Sequence, residues 1–202
     1  MDIATESLSP IETINLLGST VYPRPIAWVS TQSAEGINNL APFSYFNVAS
    51  VNPPIISFSV LLNAKGEEKD SLINLKASKH FVVNMVDKSH AEQMNQTSAD
   101  LPAEVDEFEL AGLTPLRVAS GSSPAIKEAL AWFECRLHSV QRLGDGPLAG
   151  NLVLGEIVNI HIDDNVWQNG RVNMDAWNLI AKLGGHRYSE SNQTFSLKRP
   201  QA

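Results

Sequence analysis

The sequence predicts a mainly β protein, an antiparallel barrel of six to seven strands with peripheral helices. Two observations carry that prediction. The run Ile55-Ile56-Ser57-Phe58-Ser59-Val60 alternates, with Ile56, Phe58 and Val60 on one face and Ser57 and Ser59 on the other, the period-two signature of a half-buried strand. Two long segments, Ala131 to Leu143 and Asn151 to Asp163, read as strands flanking the glycine-rich loop Gly144-Asp145-Gly146-Pro147-Leu148-Ala149-Gly150. The helical stretches between strands are short and are read as packing outside the barrel.

Taken in order, Ser9-Pro10 opens a short helix and Gly18 is read as its stop: serine caps, proline suits the first helical position, and glycine ends it. Tyr22-Pro23-Arg24-Pro25 then forces an extended entry into the first strand, because residues before proline avoid the helical region. From Ile26 to Val60 the chain reads as a meander of three strands: Ile26 to Thr31, Asn38 to Asn47, and Ile55 to Val60. Ser30, Thr31, Ser44, Ser57 and Ser59 are small and polar in strands that otherwise favour bulk. Small side chains let a ligand reach the backbone, whose N–H and C=O groups then read it.

Asn63 to Asp70 is a polar loop. Asp70 or Ser71 is the expected cap of a helix over Leu72 to Ala77, and His80 to Val86 is a β-branched strand. Lys88 to Ser98 reads as a helix with Ala91 and Met94 facing inward. Asp100 to Pro115 reads as acidic and irregular, with Glu104, Asp106, Glu107 and Glu109 in a solvated loop. A short helix from about Met174 to Leu179 and a loose C-terminal segment close the chain.

At 202 residues the chain fits one domain, 1–202, and its 43% hydrophobic and 18% charged content is that of an ordinary globular protein. A net charge of −7 argues against nucleic acid and anionic membrane as partners, since both require clustered cations. The N-terminal residues lack a basic region followed by an apolar stretch, and no apolar run is long enough to span a bilayer, so a cytoplasmic location is expected. Cys135, the one cysteine, lies in a strand and reads as a buried, inert thiol. The five histidines are scattered, and no metal site is expected. Gly144 to Ala149 matches G-x-G-x-x-A formally, but joins two strands and is read as a hairpin loop.

Two clusters invite a functional reading. Lys69-Asp70-Ser71 pairs a cation with a helix start, whose free N–H groups favour an anion; taken alone it is equally a plain cap. Gly184-Gly185-His186-Arg187-Tyr188 offers flexibility, a stacking surface and a phosphate contact, or merely a capping turn.

The segments YPRPIAWVST, NLAPFSYFN, NPPIISFSV, KDSLINL and FVVN resemble the flavin reductase-like, FMN-binding split-barrel family, which includes flavoredoxins and the reductase components of two-component monooxygenases. The likeness runs from about Tyr22 to Pro200, through VDEFELAGLTP, FECRL, LVLGEIV and GGHRY. It implies FMN, with FAD as the alternative, and NAD(P)H as co-substrate, used by a flavin reductase that supplies reduced flavin or electrons to a monooxygenase component. A flavoredoxin-like electron carrier and a non-catalytic flavin-binding protein are the competing expectations.

On this reading the isoalloxazine lies on the strand bearing Ala41, Pro42, Phe43 and Ser44. Ser30, Thr31, Ser57, Ser59, Lys69, Asp70 and Ser71 face the ribityl chain and phosphate, Asn84 completes the pocket, and Arg24 is a further phosphate candidate. His186, Arg187 and Tyr188 are expected to contact NAD(P)H, and no catalytic side chain is expected beyond the flavin itself. The resemblance also implies a homodimer, with some of Trp28, Trp132, Trp167 and Trp177 expected at its interface.

Overall fold

The computed structural model describes residues 2–200. Its first helix, α1 (Pro10–Thr20), carries a capping box: Ser9 Oγ accepts from the Glu12 N–H, and the Glu12 carboxylate accepts from the Ser9 N–H. Gly18 does not stop this helix. It is buried two residues from the end, where its carbonyl accepts from Arg24 Nη1 at 2.8 Å.

The strands are β1 (Ala27–Gln32), β2 (Asn38–Phe43), β3 (Phe46–Val51) and β4 (Pro54–Leu61). After helix α2 (Asp70–Ser78) come β5 (His80–Asn84), α3 (Ala91–Gln96) and α4 (Glu107–Ala111). A small hairpin of β6 (Pro115–Leu116) and β7 (Ala125–Ile126) leads into the long arms β8 (Ala131–Arg142) and β9 (Gly150–Ile162). Two further hairpins end the chain: β10 (Trp167–Gln168) with β11 (Arg171–Val172), and β12 (Ile180–Lys182) with β13 (Tyr188–Glu190). The expected helix near 174–179 is a single 3₁₀ turn over Met174–Ala176, and residues 88–98 divide into a 3₁₀ turn and α3.

Seven strands form one antiparallel sheet in the order β2-β1-β5-β8-β9-β4-β3. The expected three-strand meander is therefore two hairpins. β1 pairs with β2 (Ala27 opposite Phe43), β3 pairs with β4 (Phe46 opposite Phe58), and the two lie at opposite ends of the strand order. Consecutive strands β2 and β3 are not ladder partners. Only Ser44 and Tyr45 join them, and the two ends of the sheet meet at that seam, where the Ser59 N–H donates to the Tyr45 carbonyl at 2.9 Å.

The core follows from the alternation. Ile56, Phe58 and Val60 of β4 pack with Ala27 and Val29 of β1, Phe81 and Val83 of β5, Cys135, Val153, and Leu72 and Leu75 of α2. Gly155 makes room for Phe81, because a Cβ there would stand 2.3 Å from the Phe81 ring. β1 is buried on both faces: Trp28, on the other side, joins Leu40, Met94, Phe108 and Ile126 under α3 and α4, and its indole N–H donates to Thr97 Oγ1 at 2.8 Å. Trp132 and Trp177 are also buried, so the tryptophans expected at an interface largely serve the chain's own core; Trp167 alone of the four is exposed. Cys135 is fully buried, and burial pushes its thiol well above the usual range, as expected of an inert cysteine.

Candidate functional site

The seam between β2 and β3 opens into a chain of clefts. A cleft of about 370 Å³ is lined by Arg24, Pro42, Phe43, Ser44, Tyr45, Ser59, Lys69 and Lys182, among others. Pro42, Phe43 and Lys69 continue into a second cleft of about 500 Å³, walled by Ala41, Asp70, Ser71, the 63–68 loop and residues 97–101. Arg24, Ser44 and Tyr45 also border a third of about 460 Å³, which reaches Ser57, Leu17 and Val21. These volumes fall in the range of small-molecule sites.

The first cleft sets apolar surface beside cations. Phe43 and Pro42 come from the end of β2, and the Phe43 ring packs 5.5 Å from Phe58, whose ring in turn meets Phe81 edge-on, so the floor is braced by the barrel core. Arg24, Lys69 and Lys182 are its charged residues, and among the described residues no carboxylate lines it. Lys182 Nζ lies 4.0 Å from the centre of the Tyr188 ring.

Arg24 is mainly a clamp. Its guanidinium donates to the carbonyls of Gly18, Val21 and Leu183 and to Ser44 Oγ, tying α1, the start of β1, the seam and the C-terminal hairpin together.

Lys69 is the N-cap of α2, where Asp70 or Ser71 was expected, and makes no side-chain capping bond. Among the described residues, no side chain caps the N–H groups of Asp70 and Ser71. Asp70 and Ser71 line the second cleft, at a helix start that carries partial positive charge. The Lys69 ammonium reaches Asp100 across that cleft at 2.8 Å.

Ser30, Thr31 and Asn84 do not reach these clefts. All three are fully buried, and their polar atoms are occupied. Ser30 donates to the Pro124 carbonyl; Asn84 donates to the Trp28 carbonyl and Ser30 Oγ and accepts from the Ile126 N–H; Thr31 donates to Asn39 Oδ1. Their small polar side chains knit strands to loops. Ser57 borders only the third cleft.

The C-terminal cluster is also recast. Gly184 and Gly185 form the tight turn of the β12–β13 hairpin, closed by bonds between Leu183 and Arg187 and between Arg187 and Gly184, so they are not an open hinge. A Cβ at Gly184 would stand 2.6 Å from Ser19 Oγ, which explains the glycine by close packing on α1. Arg187 lines a neighbouring hollow with Ser19, Tyr22 and Gly185, while His186 is exposed and borders none of these clefts.

The acidic segment departs most from expectation. Asp106 caps α4 by accepting from the N–H groups of Phe108 and Glu109, and Glu107 is buried at 6% exposure. The Glu107 carboxylate accepts from the Leu40 N–H at 3.0 Å and from Asn39 Nδ2 at 3.1 Å. Burial pushes its carboxyl above the usual range; the Leu40 and Asn39 bonds oppose that shift and the nearby Asp70 adds to it. A capping aspartate at 106 and a stop at Gly112, which adopts a left-handed φ of 65°, bracket α4 and were the available sequence signal.

Residues 18–174 match the family described as flavin reductase like domain. The chain belongs to that family. Nitrilotriacetate monooxygenase component B from Bacillus cereus has a TM-score of 0.93 to this chain at 36% identity, with 98% of each chain covered. The 2-nitrobenzoate 2-nitroreductase NbaA of Pseudomonas fluorescens gives 0.89 at 30% identity over 99% of this chain and 96% of its own. A Shewanella frigidimarina protein with a split barrel domain gives 0.83 at 25% identity, covering 99% of this chain and all of its own. The seven-stranded sheet is thus the split barrel of flavin reductases, and membership gives the protein a flavin-related reductase role with a flavin as cofactor. No helix of the described residues is long and apolar enough to cross a membrane.

Proposed function

We propose that this protein binds FMN and uses NAD(P)H to reduce it, delivering reduced flavin or electrons to a partner oxygenase in the cytoplasm. The observation that carries the reading is the cleft at the seam, where a flat apolar floor of Pro42 and Phe43 adjoins Lys69, Lys182 and the uncapped start of α2. That donor set fits a ligand that is flat at one end and a phosphate at the other. When bound, FMN supplies the ring that takes up electrons from the nicotinamide and passes them on.

In this reading the backbone from Ala41 at the end of β2 to Ser44 in the seam holds the ring edge, Ser59 faces the ribityl chain, and Lys69 with the N–H groups of Asp70 and Ser71 holds the phosphate. Arg24 fixes the wall instead of gripping the ligand. Arg187, which lines the neighbouring hollow, is the cation this reading assigns to the nicotinamide dinucleotide's pyrophosphate. The likeness to a monooxygenase component supports an oxygenase as partner.

A homodimer completes the proposal. The edge strand β3 exposes Val48 at 63% and Val51 at 84%, which an unpaired sheet edge needs covered.

The test is anaerobic. Protein reconstituted with FMN should bleach on addition of NADH or NADPH and turn over free flavin. Failure to bind FMN refutes the reading; binding without turnover from either nicotinamide reassigns the protein as an electron carrier or flavin-binding protein.

A further inference from the structure

Glu107 is buried at 6% exposure, and its carboxylate lies at the centre of a directed chain of hydrogen bonds. Asn39 Nδ2 donates to both carboxylate oxygens, which fixes the Asn39 amide with Oδ1 turned the other way. That oxygen accepts from Ser71 Oγ at 2.7 Å and from Thr31 Oγ1 at 3.2 Å, and Asn74 Nδ2 donates to Thr31 in turn at 3.3 Å. Every donor in the chain is oriented toward the one negative charge. Two of the residues so oriented, Ser71 and Asn74, belong to α2, and Ser71 is in the helical turn that faces the cleft.

We propose that Glu107 is a positioning residue for recognition of the flavin phosphate, acting through Asn39 on the first turn of α2. The proposal rests on the reading of the cleft given above. It assigns Ser71 a different task from that of a phosphate donor: its hydroxyl proton is held by Asn39, so Ser71 anchors the helix start. Recognition then falls to Lys69 and the uncapped N–H groups. The polarity of the chain matters because a buried amide whose donor faces another donor leaves both unsatisfied.

Glu107→Gln decides between two roles of opposite sign. As a bystander charge, Glu107 would repel a phosphate, and its neutralisation would tighten FMN. As a positioning residue, it is replaced by an amide whose N–H₂ confronts Asn39 Nδ2. Asn39 then flips and turns Nδ2 toward Ser71 and Thr31, so Ser71 must accept where it donated and Thr31 Oγ1 faces the amide donors of both Asn39 and Asn74, which shifts the helix start.

FMN and riboflavin affinities are measured by flavin fluorescence on the full chain, with the melting temperature followed alongside. The expected result for Glu107→Gln is a loss of about tenfold in FMN affinity, with riboflavin affinity nearly unchanged. The double variant Asn39→Asp with Glu107→Gln moves the carboxylate one link along, where it accepts from the introduced amide, Ser71 and Thr31, and should restore the FMN preference.

Tighter FMN, or equal losses for both flavins, overturns the proposal, as does failure of the double variant to rescue. Should Glu107→Gln not fold, Ser71→Ala removes the last link at the cleft and must lower FMN affinity selectively. Lys69→Ala in the same assay separates the two levels of inference. If it spares the FMN preference, the phosphate lies elsewhere and both readings fall; if it lowers the preference while Glu107→Gln does not, only the positioning role falls.

Discussion

Lys69→Glu is the sharpest test of where the phosphate sits, and its size follows from the surroundings. The Lys69 side chain is 38% exposed and pairs with Asp100, itself 83% exposed, at 2.8 Å. An exposed pair of that kind is worth about 0.5 kcal/mol, so Lys69 gives up little when it turns to a ligand. A unit charge pair at about 4 Å contributes roughly 1–4 kcal/mol between the dielectric limits of water and a protein surface. Partial exposure puts Lys69 towards the lower end. Net of Asp100, Lys69→Ala should therefore cost FMN binding about 1 kcal/mol, or about fivefold. Lys69→Glu adds repulsion and should reach about 2 kcal/mol, or about thirtyfold. Asp100→Asn has the opposite sign: it frees Lys69 and should tighten FMN by about twofold. Fluorescence titration with FMN and with riboflavin, at low and high salt, reads all three. Equal losses for the two flavins, or a weaker FMN complex in Asp100→Asn, would refute the reasoning.

Other outcomes follow from the packing and the charges. Gly155→Ala drives a Cβ to 2.3 Å from the Phe81 ring and should cost about 1–3 kcal/mol, read as a lower denaturant midpoint at unchanged slope. Arg24→Lys cannot serve the three carbonyls and Ser44 together; it should lower the melting temperature and expose the 183–187 turn to proteolysis first. Asp87 and His90 form a pair at 3.1 Å. The Asp87 hydrogen bond raises the His90 pKa against burial, so that contribution is complete below the ordinary histidine value and lost as pH rises through the raised one. Burial opposes the charge on Asp87, but bonds from His90 and Ser89 outweigh it and hold the carboxyl low, so its contribution is lost as pH falls through that lowered value. His90→Gln should therefore destabilise the protein by about 1 kcal/mol near pH 5.5 and have no such effect near pH 9, in paired thermal melts.

Local patterns carried much of this fold. The alternation of Ile56, Phe58 and Val60, the Ser9-Pro10 helix start and the two long arms around Gly144–Gly150 depend on neighbours in sequence, and each stands where its residues put it. The break at Ser44-Tyr45 was not legible, because it is no tight turn. The chain leaves one end of the sheet for the other there, and Asn38 to Asn47 looks like one strand from within. Glu107 is hidden for a related reason: an acidic run resembles a solvated loop until Asn39, 68 positions earlier, is brought against it. Ser30, Thr31 and Asn84 show the converse. Small polar residues in strands suit a ligand or an internal bond equally well, and only their partners across the sheet decide. Gly184 marks a close approach to Ser19 that no turn rule anticipates.

The seam also sets an order in which the protein comes into being. The residues that line its central cleft come largely from the first third of the chain, and the two hairpins bearing them are complete once Leu61 has been made. Yet the span from one hairpin to the other is fixed by β5, β8 and β9, the last of which ends at Ile162. A ribosome-bound chain thus carries two halves of a cleft joined through Ser44 and Tyr45, with open edges and no fixed angle between them, while about a hundred further residues are added. The cleft is the earliest part of the protein to be written and among the last to exist.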